Sequence, residues 1–187
     1  HVVATRPSHE GNVALARVSW RAFERFAEYL GDDEASAGLI RCGYLIAAPE
    51  GPRLEPLRAA LDHQQRSGVA VQLLDANQAQ ALLPIARFDD AALIGFEPDA
   101  GFADAYLVAS AFARGARRRG VQLRCGTEVL GLLRDGSGRV TGVRTAAGEL
   151  HAGTVVSAQN IWTTELQRWT GVSLPVTSER HRVLALE

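Results

Sequence analysis

Glycine punctuates the stretch from Val121 to Ser157 so closely that only short, turn-linked strands fit between the breaks. Residues 121–125, 129–134, 139–145 and 149–157 are rich in β-favouring side chains, and Asp135-Gly136-Ser137-Gly138 and Ala147-Gly148 supply turn chemistry between the last three runs. Runs of this kind joined by tight glycine turns predict an antiparallel meander.

Upstream of that stretch the hydrophobic period changes. From Asn12 to Leu30, apolar residues at Leu15, Val18, Ala22, Phe26 and Leu30 recur in steps of three and four, which predicts one helix ended near Gly31. The run CGYLIAAP (42–49) predicts a strand, 54–65 a helix and 69–74 another strand. Asp75 then caps a short helix that stops before Pro84, and AALIGFEP (91–98) reads as a strand. Asp104 caps a helix whose face carries Leu107, Val108, Ala111, Phe112 and Gly115, and Gly120 stops it. Arg114, Arg117, Arg118 and Arg119 crowd the last turns of that helix, where its dipole favours cations, and they read as a solvated capping face. After the meander, 161–170 predicts a short helix and 174–186 a strand. The alternation makes this an α/β chain.

Composition narrows what such a chain does. Of 187 residues, 47% are hydrophobic and 22% charged, the balance of an ordinary globular protein. Twenty Lys plus Arg oppose 21 Asp plus Glu, so no charge excess recruits nucleic acid. No apolar run reaches the roughly 20 residues of a membrane span. Two cysteines, Cys42 and Cys125, are too few for a disulfide framework, and a cytoplasmic location is the expectation. The chain begins at His1 and contains no Met, which reads as a piece of a longer protein.

No Gly-x-Gly-x-x-Gly, phosphate-loop, His-Glu-x-x-His or Gly-x-Ser-x-Gly motif occurs. His1, His9, His63, His151 and His181 lack ligand spacing, so no metal is assigned. Asp32-Asp33 and Asp89-Asp90 sit in polar, turn-like stretches where solvation and capping account for them. The residues alone assign no catalytic group.

The succession GYLIAAP, LLDANQAQALLP and GFEPDAGFAD, followed by a long helix ended by Arg-Gly, resembles the middle of the D-amino-acid oxidase superfamily of flavoproteins, closest to its glycine oxidase and sarcosine oxidase branch. The block TEVLGLLRDGSGRVTGVRTAAGELHAGTVVSAQNIW resembles that family's adenine-side meander and the loop that returns to the flavin. The resemblance implies the central portion of an FAD-binding Rossmann-like domain with its antiparallel meander, interleaved with part of an α+β substrate domain. Residues 1–42 and 99–172 would be FAD-domain segments, and 43–98 and 173–187 substrate-domain segments. The family's pyrophosphate-binding glycine turn would precede His1, and most of its substrate-carboxylate ligands would follow Glu187.

By the same resemblance, Val129 occupies the position whose backbone meets adenine, and Ser157, Ala158, Gln159 and Asn160 form the flavin loop, with Trp162 matching an aromatic after it. Here Asn160 stands where the family has glycine, and Gln159 is bulkier than the small residue expected. Asn is the non-glycine residue best able to take a positive φ, so Asn160 is expected in the left-handed region or as a cap of the following helix. Thr5 and Arg6 fall in the stretch that approaches the flavin ring, and His181 on a strand beneath the substrate.

The implied function is FAD-dependent oxidation of the C–N bond of a small amino acid or secondary amine, by hydride transfer to flavin. The alternative is a non-catalytic interaction or regulatory domain that retains the scaffold. On its own the chain is expected to lack activity, to lose FAD and to self-associate through apolar faces.

Overall fold

Arg25 interrupts the helix that the apolar spacing predicts. The computed structural model describes residues 2–3 and 10–177 and falls into two units, His1–Leu123 and Arg124–Glu187. In the first unit a two-residue strand β1 (Val2–Val3) precedes α1 (Glu10–Glu24) and α2 (Phe26–Leu30), which are separated at Arg25 by a non-helical φ of −120° and ψ of 45°. The break brings Phe23 and Phe26 onto one core. Gly31, at φ 61°, ends α2 in a left-handed turn in which the Asp32 N–H reaches back to the Ala27 carbonyl.

The chain continues through β2 (Ile40–Arg41), β3 (Tyr44–Ala48) and α3 (Leu54–Arg66) to β4 (Gln72–Leu73), α4 (Ala76–Leu82) and β5 (Leu93–Glu97). It closes with β6 (Gly101–Phe102) and α5 (Ala105–Arg118). The expected strand at 69–74 shrinks to two residues because its start folds back on α3: Val69 N–H donates to Gln64 O, and Gln65 Nε2 donates to Val71 O. Asp75 caps α4 as expected, in a reciprocal box with Gln78. Asp104 likewise accepts from the Tyr106 and Leu107 N–H groups at the start of α5.

Two three-stranded sheets result, β1-β6-β2 and β3-β5-β4, and every pairing in them is antiparallel. They meet where the chain leaves residue 41 and returns at residue 101. Arg41 pairs with Gly101, Gly43 N–H donates to Ala100 O, and Tyr44 pairs with Glu97, so the outgoing and returning strands run side by side. Separate cores lie on either side of this seam. Phe26, Leu30, Ala35 and Ala37 pack with Ala103 and Ala111, joining the chain before the seam to the chain after it. Leu61, Val71 and Leu93 form one cluster, and Ala79, Phe88 and Ile94 another, both drawn wholly from the segment between. Gly95 lets Leu61 of α3 lie against β5, since a Cβ there would come within 2.7 Å of the Leu61 side chain.

The strand expected at 121–125, where the first unit gives way to the second, is absent. Val121 N–H instead caps α5 at Ala116 O, and no strand pairs with 121–125 among the described residues. The meander itself is present as β7 (Val129–Arg134), β8 (Val140–Thr145) and β9 (Gly148–His151), in that order in one antiparallel sheet. Asp135 organises the β7–β8 turn by accepting from Ser137 Oγ and from the Ser137 and Arg139 N–H groups, which holds its carboxyl below the usual range. The strand expected to run to Ser157 ends at His151. One further bond, Ala152 N–H to Thr141 O, continues the pairing, after which no described strand lies beside the chain and Val156 is 84% exposed. A 3₁₀ turn (Asn160–Trp162) leads into α6 (Thr163–Thr170). Residues 174–177 are not a strand, and the rest of the strand expected at 174–186 lies outside the described residues.

Candidate cofactor loop

Val129 opens β7, half-buried and paired with Thr145. The next step of the ladder joins Gly131 to Arg144, so Leu130 is an extra residue and β7 bulges immediately after Val129. A bulge re-aims a strand locally. It leaves Val129 at the margin of the sheet, in the last ladder pair before the register breaks.

Ser157 and Ala158 are exposed and lie in the segment without regular structure, while Gln159 is half-buried. Asn160 has φ 52° and is the single non-glycine residue with positive φ among those described. The left-handed turn expected there is present. The Trp162 N–H closes it onto Gln159 O, and Thr163 Oγ1 donates to Asn160 O. Trp162 itself is 66% exposed, and the neighbouring Ile161 is exposed too. Arg134, at the end of β7, donates to Gly138 O and to Trp169 O, which ties the meander to α6. Thr5, Arg6 and His181 lie outside the described residues.

Gln159 Oε1 is buried and accepts no hydrogen bond. A buried amide oxygen without a donor is uncommon, because its lost hydration is uncompensated.

In the first unit the structure assembles features that no motif announced. A cavity of about 670 Å³ opens between α3 and the β3–β5 strands, lined by Tyr44, Ile46, Arg53, Leu57, Gln64 and Glu97 among others. A second, of about 320 Å³, lies beside α1. There Glu24 accepts from Trp20 Nε1 at 2.8 Å and pairs with Arg41, whose guanidinium lies 5.7 Å from the Trp20 ring centre. The i, i+4 spacing of Trp20 and Glu24 was the available signal, but Arg41 comes from a distant strand. With both donors engaged, this carboxylate holds Arg41 beside the Trp20 ring. Among the described residues no group of three or more His, Cys, Asp or Glu is disposed to hold a metal ion, and no helix is long and apolar enough to cross a membrane.

Residues 2–187 match the family described as FAD dependent oxidoreductase, DAO. The chain belongs to this family. It is 31% identical over 167 residues to 4-methylaminobutanoate oxidase (formaldehyde-forming) of Paenarthrobacter nicotinovorans, covering 89% of this chain and 20% of that protein. It is 36% identical over 126 residues to sarcosine oxidase subunit beta of an Arthrobacter species, covering 65% of this chain and 31% of that protein. The crystal structure of glycine oxidase from Geobacillus kaustophilus superposes with a TM-score of 0.76 at 25% identity, over 92% of this chain and 47% of that one. The DAO chain therefore spans less than a third of the length of those two curated relatives. The mixed α/β fold with antiparallel sheets is that of FAD-dependent oxidoreductases, and members of the family depend on FAD.

The loop fits that cofactor on its own chemistry. Val129 offers extended backbone at a bulge, Asn160 holds a turn closed by local hydrogen bonds, and Gln159 presents a buried acceptor that the protein leaves uncommitted.

Proposed function

We propose that this DAO chain is the central part of an enzyme that oxidises the C–N bond of a small amino acid or secondary amine. The observation that carries the reading is the similarity to a protein named both for a methylamino acid and for forming formaldehyde. Formaldehyde is the product expected when an N-methyl C–N bond is oxidised to an imine that water then hydrolyses. Similarity to a sarcosine oxidase subunit points to the same class of bond.

When bound, FAD supplies the acceptor for the hydride that leaves the substrate carbon. The residues of this chain contribute the cofactor's seat. The Val129 backbone would pair with the adenine edge, and Ser157, Ala158, Gln159 and Asn160 would line the approach to the flavin side, with Trp162 beside them as an apolar cover. We assign 1–42 and 99–172 to the cofactor half, and 43–98 and 173–187 to the substrate half. The separate cores on either side of the seam at Arg41 and Gly101 support the boundaries near 42 and 99. We assign Arg6, in the stretch that approaches the flavin ring, and His181 to the side of the site that faces the substrate.

The test is a flavin absorbance spectrum of the full reading frame that contains this chain, followed by anaerobic addition of N-methyl amino acids. Bleaching of the flavin bands is the expected result, and a colourless protein that FAD does not colour would instead favour a scaffold without chemistry. The chain produced by itself is expected to purify without flavin and to self-associate, with Val156 and Trp162 among the apolar residues it exposes.

A further inference from the structure

We infer that Gln159 binds the cofactor through its side-chain oxygen, accepting a hydrogen bond from a hydroxyl or N–H group of FAD rather than facing its phosphates. The inference rests on the FAD reading above and extends it to one atom. Two independent features of the loop meet at this point. Gln159 Oε1 is buried without a donor, and the very next residue holds the one positive φ outside glycine among the described residues. An unsatisfied buried acceptor and a left-handed backbone each cost stability, and costs of this kind persist where a ligand makes use of them.

The chemistry of the atom limits its partner. An amide carbonyl oxygen only accepts, so it is repelled by phosphate oxygens and by any other bare acceptor. FAD offers donors at the hydroxyls of its ribityl chain and ribose, at the flavin ring N–H and at the adenine amino group. The bulk of Gln159, which departs from the small residue expected at this position, then has a purpose. A shorter side chain carries no acceptor into the same space.

Gln159→Met keeps the length and flexibility of the side chain and removes the acceptor. In the apoprotein of the full reading frame this variant should melt no lower than wild type, because it deletes an unpaired buried polar atom. Its dissociation constant for FAD, read by flavin fluorescence, should rise about five- to tenfold, the scale of one hydrogen bond. The same titration with FMN and with ADP locates the donor: a loss confined to FMN places it on the ribityl-flavin half, and a loss confined to ADP on the ribose-adenine half. Unchanged FAD affinity overturns the inference, as does a loss seen with neither half. A lower melting point in the apoprotein also overturns it, since that marks a structural role. If wild-type apoprotein itself takes up no FAD, the underlying cofactor reading fails together with the inference.

Discussion

The Asp32 carboxylate accepts a 2.9 Å hydrogen bond from Arg118 Nη1, 86 residues further along the chain. Arg114 stands 3.7 Å from the same oxygen, and the Asp32 side chain is only 9% exposed. The end of α2 is thereby fastened to the last turns of α5, beneath the shared core of Phe26 and Ala111.

The Arg118 hydrogen bond holds the Asp32 carboxyl below the usual carboxylate range. A carboxylate whose pKa is lower folded than unfolded stabilises the fold above its unfolded value and loses that contribution as pH falls through the folded value. Asp32→Asn should therefore lower the melting temperature at neutral pH. The gap to wild type should close as the pH drops below the ordinary Asp range. Parallel melts across that range check it, and a gap independent of pH would assign the loss to packing instead of charge.

Asn160 provides a second test. Asn160→Gly should leave stability nearly unchanged, because glycine takes a φ of 52° freely. Asn160→Val should cost about 1 to 2 kcal/mol, since a β-branched side chain clashes with its own backbone in the left-handed region. Thermal melts of the two variants decide this, and flavin titration of the full protein should show weaker FAD retention for the Val variant alone.

At Val129 the expectation separates side chain from backbone. Val129→Ala should bind FAD as wild type does. Val129→Pro removes the N–H donor and should weaken binding by about 1 to 3 kcal/mol in protein that circular dichroism shows to be folded. Equal affinity in both would remove Val129 from the adenine site.

Gly142 carries the closest backbone approach in the meander. Its φ is 156°, and a Cβ there would run into Leu150 O on β9. Gly142→Ala should destabilise the β8–β9 pairing by on the order of 2 to 3 kcal/mol. Hydrogen exchange at β9 amides is the readout, and protection equal to wild type would show that the strands shift apart at little cost.

What the sequence made legible is local. Asp75 with Gln78, Asp104 and the Asp135-Gly136-Ser137-Gly138 turn each announce a cap or turn through neighbours a few residues away, and each forms as its chemistry dictates. The strand expected at 121–125 fails because β-favouring side chains do not make a strand without a partner, and there the α5 cap takes the first N–H. Arg118 illustrates the same limit. Its position at a helix end was readable, but its pairing with Asp32 depends on a fold that brings distant segments together. The Asn160 turn was legible because one residue type answers one backbone requirement. Gln159 Oε1 was not, since whether an acceptor is left unpaired depends on every group around it.

The seam at Arg41 and Gly101 has a bearing on how the chain is made. The helix face at Phe26 and Leu30 must wait for Ala103 and Ala111 before it is covered, whereas the clusters around Leu61 and Phe88 need nothing outside 43–98. At the pace of synthesis, roughly 5 to 20 residues per second, β6 follows the end of β5 within about a second, so the segment between organises as its return strand emerges. Once folded, it holds its two ends together, and the long loop closure that joins α2 to α5 shrinks to a short one. A slow step anywhere between Arg41 and Gly101 would therefore prolong the time that Phe26 and Leu30 wait uncovered.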